Sequence, residues 1–228
     1  MKKDIVTSAI GIVVITLLCG IIYPLLITGV SQVAFPGNAN GQQLFVHGKL
    51  VGSKIIGQNF ADVVKNPKTG KVEMSDGNPV TTPDPRYFQT RPSGTTPADN
   101  DAATSFANYG PNSTITLAVL QSNISTYLQL NCPTTLTKSG GCSSWYDPAV
   151  TSAAQVPVDA ADTSASGVDP EISVLNAHIQ AYRIAAVRHL SLATVDKLIN
   201  QYTFGRGLGF SGEPGVDVLE LNLALNRI

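Results

Sequence analysis

Ile10-Gly11-Ile12-Val13-Val14-Ile15-Thr16-Leu17-Leu18-Cys19-Gly20-Ile21-Ile22-Tyr23-Pro24-Leu25-Leu26-Ile27 is apolar on every side. About 20 such residues in a helix cross a bilayer core, and a helix apolar all round faces lipid or a deep core. The flanks extend the run, since no Asp, Glu, Lys or Arg occurs from Ile5 to Phe35. Pro24 predicts a kink, which a membrane helix tolerates when the freed carbonyl finds another partner. Lys2 and Lys3 precede the run, and the next Lys or Arg is Lys49. Positive residues near the ends of a span stay in the cytoplasm. The N-terminus is therefore expected inside and everything after about residue 36 outside. A cleaved signal peptide is the competing reading, with Gly29 and Ser31 as a small-x-small site. Signal h-regions are shorter, about 7–15 residues, so an uncleaved anchor is expected. Thr16-Leu17-Leu18 before Cys19 is no lipobox. Ser8, Gly11, Gly20 and Gly29 are small enough to let another helix approach, although the nine-residue steps from Gly11 to Gly20 and from Gly20 to Gly29 do not tightly keep one face.

The 228 residues suffice for one or two domains. Charged residues make up 14% of the chain against about 25% in soluble globular proteins, and the deficit lies in the anchor. Residues 36–228 carry 13 Lys+Arg and 15 Asp+Glu. Without a basic stripe, nucleic acid is excluded as a partner. Cys19 lies in the span, while Cys132 and Cys142 enclose a loop holding Pro133, Gly140 and Gly141. In an oxidising compartment Cys132 and Cys142 are a disulfide candidate. A bridge there would contribute about 3 kcal/mol on the chain-entropy model. Two free thiols are the alternative. His47, His178 and His189 lack zinc-ligand spacing to the pair, so no metal site is expected.

Beyond the anchor, Gly37 to Gly41 reads as a linker. Leu44-Phe45-Val46 and Leu50-Val51 around His47-Gly48-Lys49 predict a hairpin. Asn66 to Asn112 carries seven prolines and cannot be a long helix; it is extended structure pinned on the domain or a mobile surface loop. Leu117, Leu120, Ile124, Tyr127 and Leu128 predict a helix over Thr114 to Leu130, ended by Pro133. Ala153 to Val158 suggests a strand. Asp169-Pro170 predicts a helix start, with Asp as cap and Pro at the first position. Ile172, Leu175, Ile179, Tyr182, Ala186 and Leu190 would line its face. Ser191 is placed to cap a further helix. After the glycine-rich Gly205 to Gly212, Asp217 and Glu220 form a capping-box pattern for a last helix, although the alternation of Leu219, Leu221, Leu223 and Leu225 also fits a strand.

Catalytic motifs are missing. There is no G-x-S-x-G, H-E-x-x-H or complete P-loop. Gly205-x-Gly207-x-Gly209 does not follow an apolar strand, which argues against a dinucleotide site. Lys68-Thr69-Gly70 resembles part of the P-type ATPase phosphorylation motif, but Pro67 stands where the phosphate-accepting aspartate would be. Ser164-Ala165-Ser166-Gly167, ahead of a predicted helix, offers backbone N–H groups to a phosphate; an ordinary loop and cap is the alternative.

Together the motifs resemble the KdpC family, the small subunit of the bacterial Kdp potassium-transporting ATPase. The resemblance runs through Val51-Gly52-Ser53-Lys54-Ile55-Ile56-Gly57-Gln58-Asn59-Phe60, Tyr87-Phe88-Gln89-Thr90-Arg91-Pro92-Ser93 and Asn108-Tyr109-Gly110-Pro111. It continues through Val156 to Ala160, Thr163 to Ser173, Gly205 to Pro214 and Val218 to Leu225. Glu171 stands where the family usually has His. Residues of about 66–83 and 132–146 look like insertions.

The resemblance implies a non-catalytic accessory subunit of an ATP-driven, high-affinity potassium uptake pump. Its implied partners are a channel-like potassium-translocating subunit, a P-type ATPase subunit and a small single-helix subunit, besides the lipid bilayer. Two roles are associated with the family: stabilising the complex, and acting as a catalytic chaperone that raises ATP affinity. The ATP candidates for the second role are Ser164, Ser166 and Gly167; no cofactor is expected on this chain itself, and ATP would enter through the complex. With the domain outside and ATP inside, a direct ATP contact would be impossible in the intact membrane. Partner-interface candidates are Tyr87, Phe88, Arg91, Asp169, Pro170, Arg206, Phe210 and Glu213. The structural alternatives are helix capping for Asp169 and Pro170 and a core position for Phe210. The expected fold is α+β. Residues 1–35 would form a cytoplasmic N-terminus and transmembrane anchor in the inner (plasma) membrane. Residues 36–228 would form a mixed extracytoplasmic domain of short strands and several helices.

Overall fold

Lys2 to Ala34 form one apolar helical rod in the computed structural model, which describes residues 2–75, 77–95, 98–100, 102–103, 109–110, 112–131 and 152–228. Cys132, Cys142 and the insertion at 132–146 lie outside the described residues, as do Asn108 and Pro111. The chain divides into two compact units, Met1–Ser53 and Lys54–Ile228.

In the first unit the rod comprises α1 (Lys2–Leu17), a π-helical turn (Leu18–Ile22) and α2 (Tyr23–Ala34). At 1.5 Å per residue its 33 residues reach about 50 Å, more than the ~30 Å of a hydrocarbon core. Its apolar side chains are exposed along the whole length, from Ile5 to Val33. Pro24 has no N–H to continue the ladder. The π turn takes up this defect directly before it, with the Tyr23 N–H reaching back five residues to the Leu18 carbonyl. The Thr28 hydroxyl donates to the Pro24 carbonyl at 2.8 Å. The expected linker contains a helical turn, α3 (Pro36–Ala39). The predicted hairpin follows as β1 (Gln43–Val46) and β2 (Lys49–Ser53), antiparallel. Its two-residue turn has φ 50° at His47 and 77° at Gly48, the left-handed pair that matches the strand twist.

The second unit begins with a β-arm. Its strands are β3 (Ala61–Val63), β4 (Met74–Ser75), β5 (Asn78–Pro79) and β6 (Thr81–Pro83). β3 pairs with β6 and β4 with β5. Glu73 N–H donates to the Val64 carbonyl and Val64 N–H to the Val80 carbonyl, which ties the two pairs together. Of the two readings of this proline-rich stretch, the extended one therefore holds for the arm. Pro79 and Pro83 fall in short strands, where a missing donor is tolerated at an edge.

The remaining elements are α4 (Thr114–Asn131), a 3-10 turn (Ala153–Gln155), α5 (Val158–Ala161), β7 (Glu171–Ser173), α6 (Val174–Arg188), α7 (Leu192–Gln201), β8 (Thr203–Phe204), β9 (Gly215–Asp217) and α8 (Val218–Leu225). The strand expected at Ala153 to Val158 is absent. Ser152 and Gln155 close a capping box there, and Pro157 precedes α5. The expected helix start at Asp169-Pro170 is also displaced. Ile172 is the central residue of β7 and pairs with Val216 of β9, so the chain stays extended until Ser173. The Ser173 hydroxyl then accepts from Asn176 N–H. Asp159 of α5 accepts from the Ser173 N–H and hydroxyl and from the Asn176 amide. The Asp169 carboxylate instead accepts from Glu171 N–H two residues on. Ser191 caps α7 and Asp217 caps α8 as the sequence predicts, which decides the last element as a helix.

Strand order β7-β9-β8 forms the only three-stranded sheet among the described residues. Ile172, Val216 and Val218 from this region meet Ala177, Ala181 and Ile184 of α6, Val195 and Ile199 of α7, and Leu221 and Leu225 of α8. Phe88 completes this core from a segment that follows a turn at Pro85 and Arg86 and belongs to no sheet. Its backbone is held by side chains instead. Asn222 accepts from Phe88 N–H and donates to the Phe88 carbonyl, both at 2.9 Å. Gln180 does the same for Gln89, at 2.8 and 3.1 Å. The fully buried Arg183 donates to the Pro85 and Tyr87 carbonyls and to the Asn131 and Gln180 amides. Replacing Asn222 by alanine strands two buried backbone groups. The expected loss is about 2–4 kcal/mol, seen as a lower denaturation midpoint of the detergent-solubilised chain.

Candidate functional site

The eight interface candidates separate into distinct places. Phe88 is fully buried in the core. Tyr87 is half-buried, packs on Phe60 at 6.0 Å between ring centroids, and lies under the Arg188 guanidinium at 4.8 Å. The Pro170 carbonyl accepts from Val218 N–H. Arg91 Nη1 and Asp169 Oδ2 are 3.2 Å apart.

Arg206, Phe210 and Glu213 belong to a single loop between β8 and β9. These strands pair Thr203 with Val216 and Phe204 with Gly215. A Cβ on Gly215 would lie 2.6 Å from the Phe204 ring, so glycine is required for that approach. Further out, Gly207 and Ser211 bond reciprocally through their backbones at 2.7 and 2.8 Å. The tip turns through Leu208 at φ 54° and Gly209 at φ 82°. At the base, Arg206 Nη2 contacts both Glu213 carboxylate oxygens at 2.8 and 2.7 Å. An exposed pair of this kind contributes at most about 1 kcal/mol, and its effect here is to hold the loop's geometry. The tip presents Leu208 at 91% and Phe210 at 76% exposure. Phe210 is thus not a core residue. Two large apolar side chains on a backbone-bonded tip form a ready contact for another surface, and Leu208 is the member the sequence reading missed. Nothing in its pattern separates a glycine-flanked exposed leucine from a buried one.

The serine segment lies elsewhere in the same unit. Ser164 is buried, its N–H donates to the Pro92 carbonyl, and its hydroxyl pairs with that of Ser166 at 3.0 Å. Gly167 N–H donates to the Ser164 hydroxyl and Val168 N–H to the Ser166 hydroxyl. Gly167 sits at φ 78° with its carbonyl accepting from the Ser93 hydroxyl, and an added Cβ would lie 2.6 Å from Thr95.

Beside this segment is a cleft of about 200 Å³ whose polar lining includes Arg91, Asp99, Asn123, Tyr127, Asn176 and Gln180. The Tyr127 hydroxyl is anchored on the Asn176 amide at 2.9 Å, and burial raises its proton affinity. Asp99 has φ 54°. Burial pushes its carboxyl up to about 6, the Thr90 hydroxyl opposes the rise, and the Asp169 charge adds to it.

An apolar rod long enough to cross a membrane, joined to an α+β domain with an exposed apolar loop, fits a single-pass membrane protein. The KdpC family model, described as "K+-transporting ATPase, c chain", matches residues 5–227. The chain belongs to this family. A relative from Methylococcus capsulatus is 39% identical over 214 residues, covering 93% of this chain and 92% of its own length. One from Mycobacterium tuberculosis is 36% identical over 228 residues and all of both chains. One from Herminiimonas arsenicoxydans is 37% identical over all of this chain and 99% of its own. Each is named "Potassium-transporting ATPase KdpC subunit".

A carboxyl whose folded pKa lies above its unfolded value stabilises the fold relatively at low pH and loses that contribution as pH rises through the folded pKa. For Asp99 the window runs from the ordinary carboxyl value of 3.8 to about 6. Asp99→Asn should therefore stabilise the chain at pH 7.5 by up to about 2 kcal/mol. The gain should shrink towards zero near pH 4, as read from thermal midpoints at the two values.

Proposed function

We propose that this chain is the non-catalytic accessory subunit of an ATP-driven potassium uptake pump, with its second unit outside the cytoplasm. There it docks on the pump's channel-like subunit and stabilises the assembly with the P-type ATPase subunit and the small single-helix subunit. The observation that carries this reading is the braced loop with Leu208 and Phe210 in solvent. Buried apolar anchors at the centre of an interface supply most of its binding energy, and a backbone-bonded loop loses little freedom on docking. The charge distribution supports the outside placement, since Lys2 and Lys3 precede the rod and the next basic residue is Lys49. Residues 36–228 carry more acidic than basic groups, which suits a cap over a cation entrance.

The second reading, direct ATP binding by Ser164, Ser166 and Gly167, is less favoured. The Gly167 and Val168 N–H groups that would grip a phosphate already donate to the segment's own hydroxyls. The acidic balance of the domain also disfavours a polyphosphate.

Two measurements test the proposal. Leu208→Ser with Phe210→Ser should cut recovery of the other pump subunits in affinity purification from potassium-starved membranes by about tenfold or more. The thermal midpoint should stay nearly unchanged, because both side chains are exposed. Undiminished recovery would sink the docking role of this loop. For placement, Lys68→Cys at the exposed arm, with the native cysteines changed to serine, should react with a membrane-impermeant maleimide in intact cells. Labelling only after lysis would put the domain in the cytoplasm and restore the ATP reading.

A further inference from the structure

The hairpin of the first unit carries an apolar pair in solvent. Phe45 of β1 and Leu50 of β2 are register partners, so their side chains stand together on one face. They are 58% and 56% exposed. The hairpin is fastened to the rod by a series of hydrogen bonds. Gln32 of α2 and Asn40, directly after α3, exchange amide hydrogen bonds at 3.3 and 3.1 Å. The Asn40 amide also donates to the Pro36 carbonyl at 2.7 Å. Gln42 N–H donates to the Gly37 carbonyl at 2.8 Å, and the Ser53 hydroxyl to the Gly41 carbonyl at 2.6 Å. Eight residues separate the end of α2 from β1. Fully extended they would reach about 30 Å, and the turn of α3 shortens that.

These limits say what the pair meets. A rod that crosses a bilayer ends at a bilayer surface, and the hairpin is tied close to that end. Val33 and Phe35 carry the rod's exposed apolar surface through its last turn and one residue beyond. The charges fit phospholipid. No Asp or Glu occurs from Ile5 to Ala61, while Lys49 adjoins Leu50. Phosphate headgroups would therefore meet an ammonium group and no carboxylate. Attachment to a membrane surface grows with the apolar area buried and with attraction to anionic lipid. A protein partner fits less well. Two side chains fall far short of the ~800 Å² per partner of a stable protein interface, whereas a lipid surface asks for no matching shape.

We propose that the β1-β2 hairpin is a second membrane contact, with Phe45 and Leu50 inserted at the boundary between headgroups and acyl chains beside the anchor. The rod supplies the span, and the hairpin fixes how the chain leaves the bilayer. The inference rests on the rod crossing a membrane. It holds on either side of that membrane and is independent of the loop at Leu208 and Phe210.

The test uses the full chain carrying Trp145→Phe, which removes the one native tryptophan. It is reconstituted alone in vesicles of phosphatidylcholine and phosphatidylglycerol. Phe45→Trp and Leu50→Trp, made one at a time, then report what covers the hairpin. Thermal midpoints equal to the parent's show that each variant is folded. Phosphatidylcholine brominated at the acyl carbons nearest the headgroup should cut the emission of each variant at least twofold. Bromination near the bilayer centre should quench less. Both results should persist when the other pump subunits are reconstituted with the chain. The proposal is overturned if either folded variant ignores the brominated lipid, or if deep bromination quenches more than shallow. Loss of quenching once the other subunits are present also overturns it, and assigns the pair to a protein partner.

Discussion

Side-chain amides stand in for a missing β-strand, and the second unit depends on that substitution. The segment from Pro85 to Gln89 turns at Pro85 and Arg86 and then inserts Phe88 into the core without a strand beside it. Backbone groups in such a place must find partners. Asn222 of α8 and Gln180 of α6 each bond both the N–H and the carbonyl of one residue, as a neighbouring strand would. Arg183, one turn from Gln180, gathers the Pro85 and Tyr87 carbonyls and reaches Asn131 at the end of α4. Three helices are thereby registered against one segment. The same segment then delivers Arg91 to the cleft and leads into Ser93, whose hydroxyl fixes Gly167.

The periodic elements were legible in the sequence. The anchor follows from an uninterrupted apolar run, and α4, α7 and α8 from helical spacing with Ser191 and Asp217 as caps. The misplaced start of α6 shows where local reading stops. Asp169-Pro170 is a good cap pair in isolation, but Ile172 gains more by pairing with Val216 in the sheet, and the cap passes to Ser173. The strand expected near Ala153 lost to the Ser152–Gln155 capping box. Short strands such as β8 and β9 carry too few residues for alternation to register.

The candidate sites were legible only in part, for a related reason. Motif resemblance located Arg206, Phe210 and Glu213, but not that Phe210 faces solvent. Exposure there is decided by the Gly207–Ser211 backbone bonds and the positive φ of Leu208, neither of which has a periodic signature. Asp99 was invisible because its character comes from burial and from Asp169, seventy residues away. Asn222 and Gln180 look like ordinary polar residues on a helix until the backbone they serve is seen.

The π turn before Pro24 has a consequence for the anchor's neighbours. Gly11 and Gly29 are 18 residues apart, about five whole turns at 3.6 residues per turn, which would stack them on one side of a regular helix. One π turn inserts a residue without the matching rotation, so the two glycines point about 100° apart. The rod therefore has two small-residue faces at different depths and azimuths, neither running its full length. A straight helix lying against Gly11 would therefore not meet Gly29 as well.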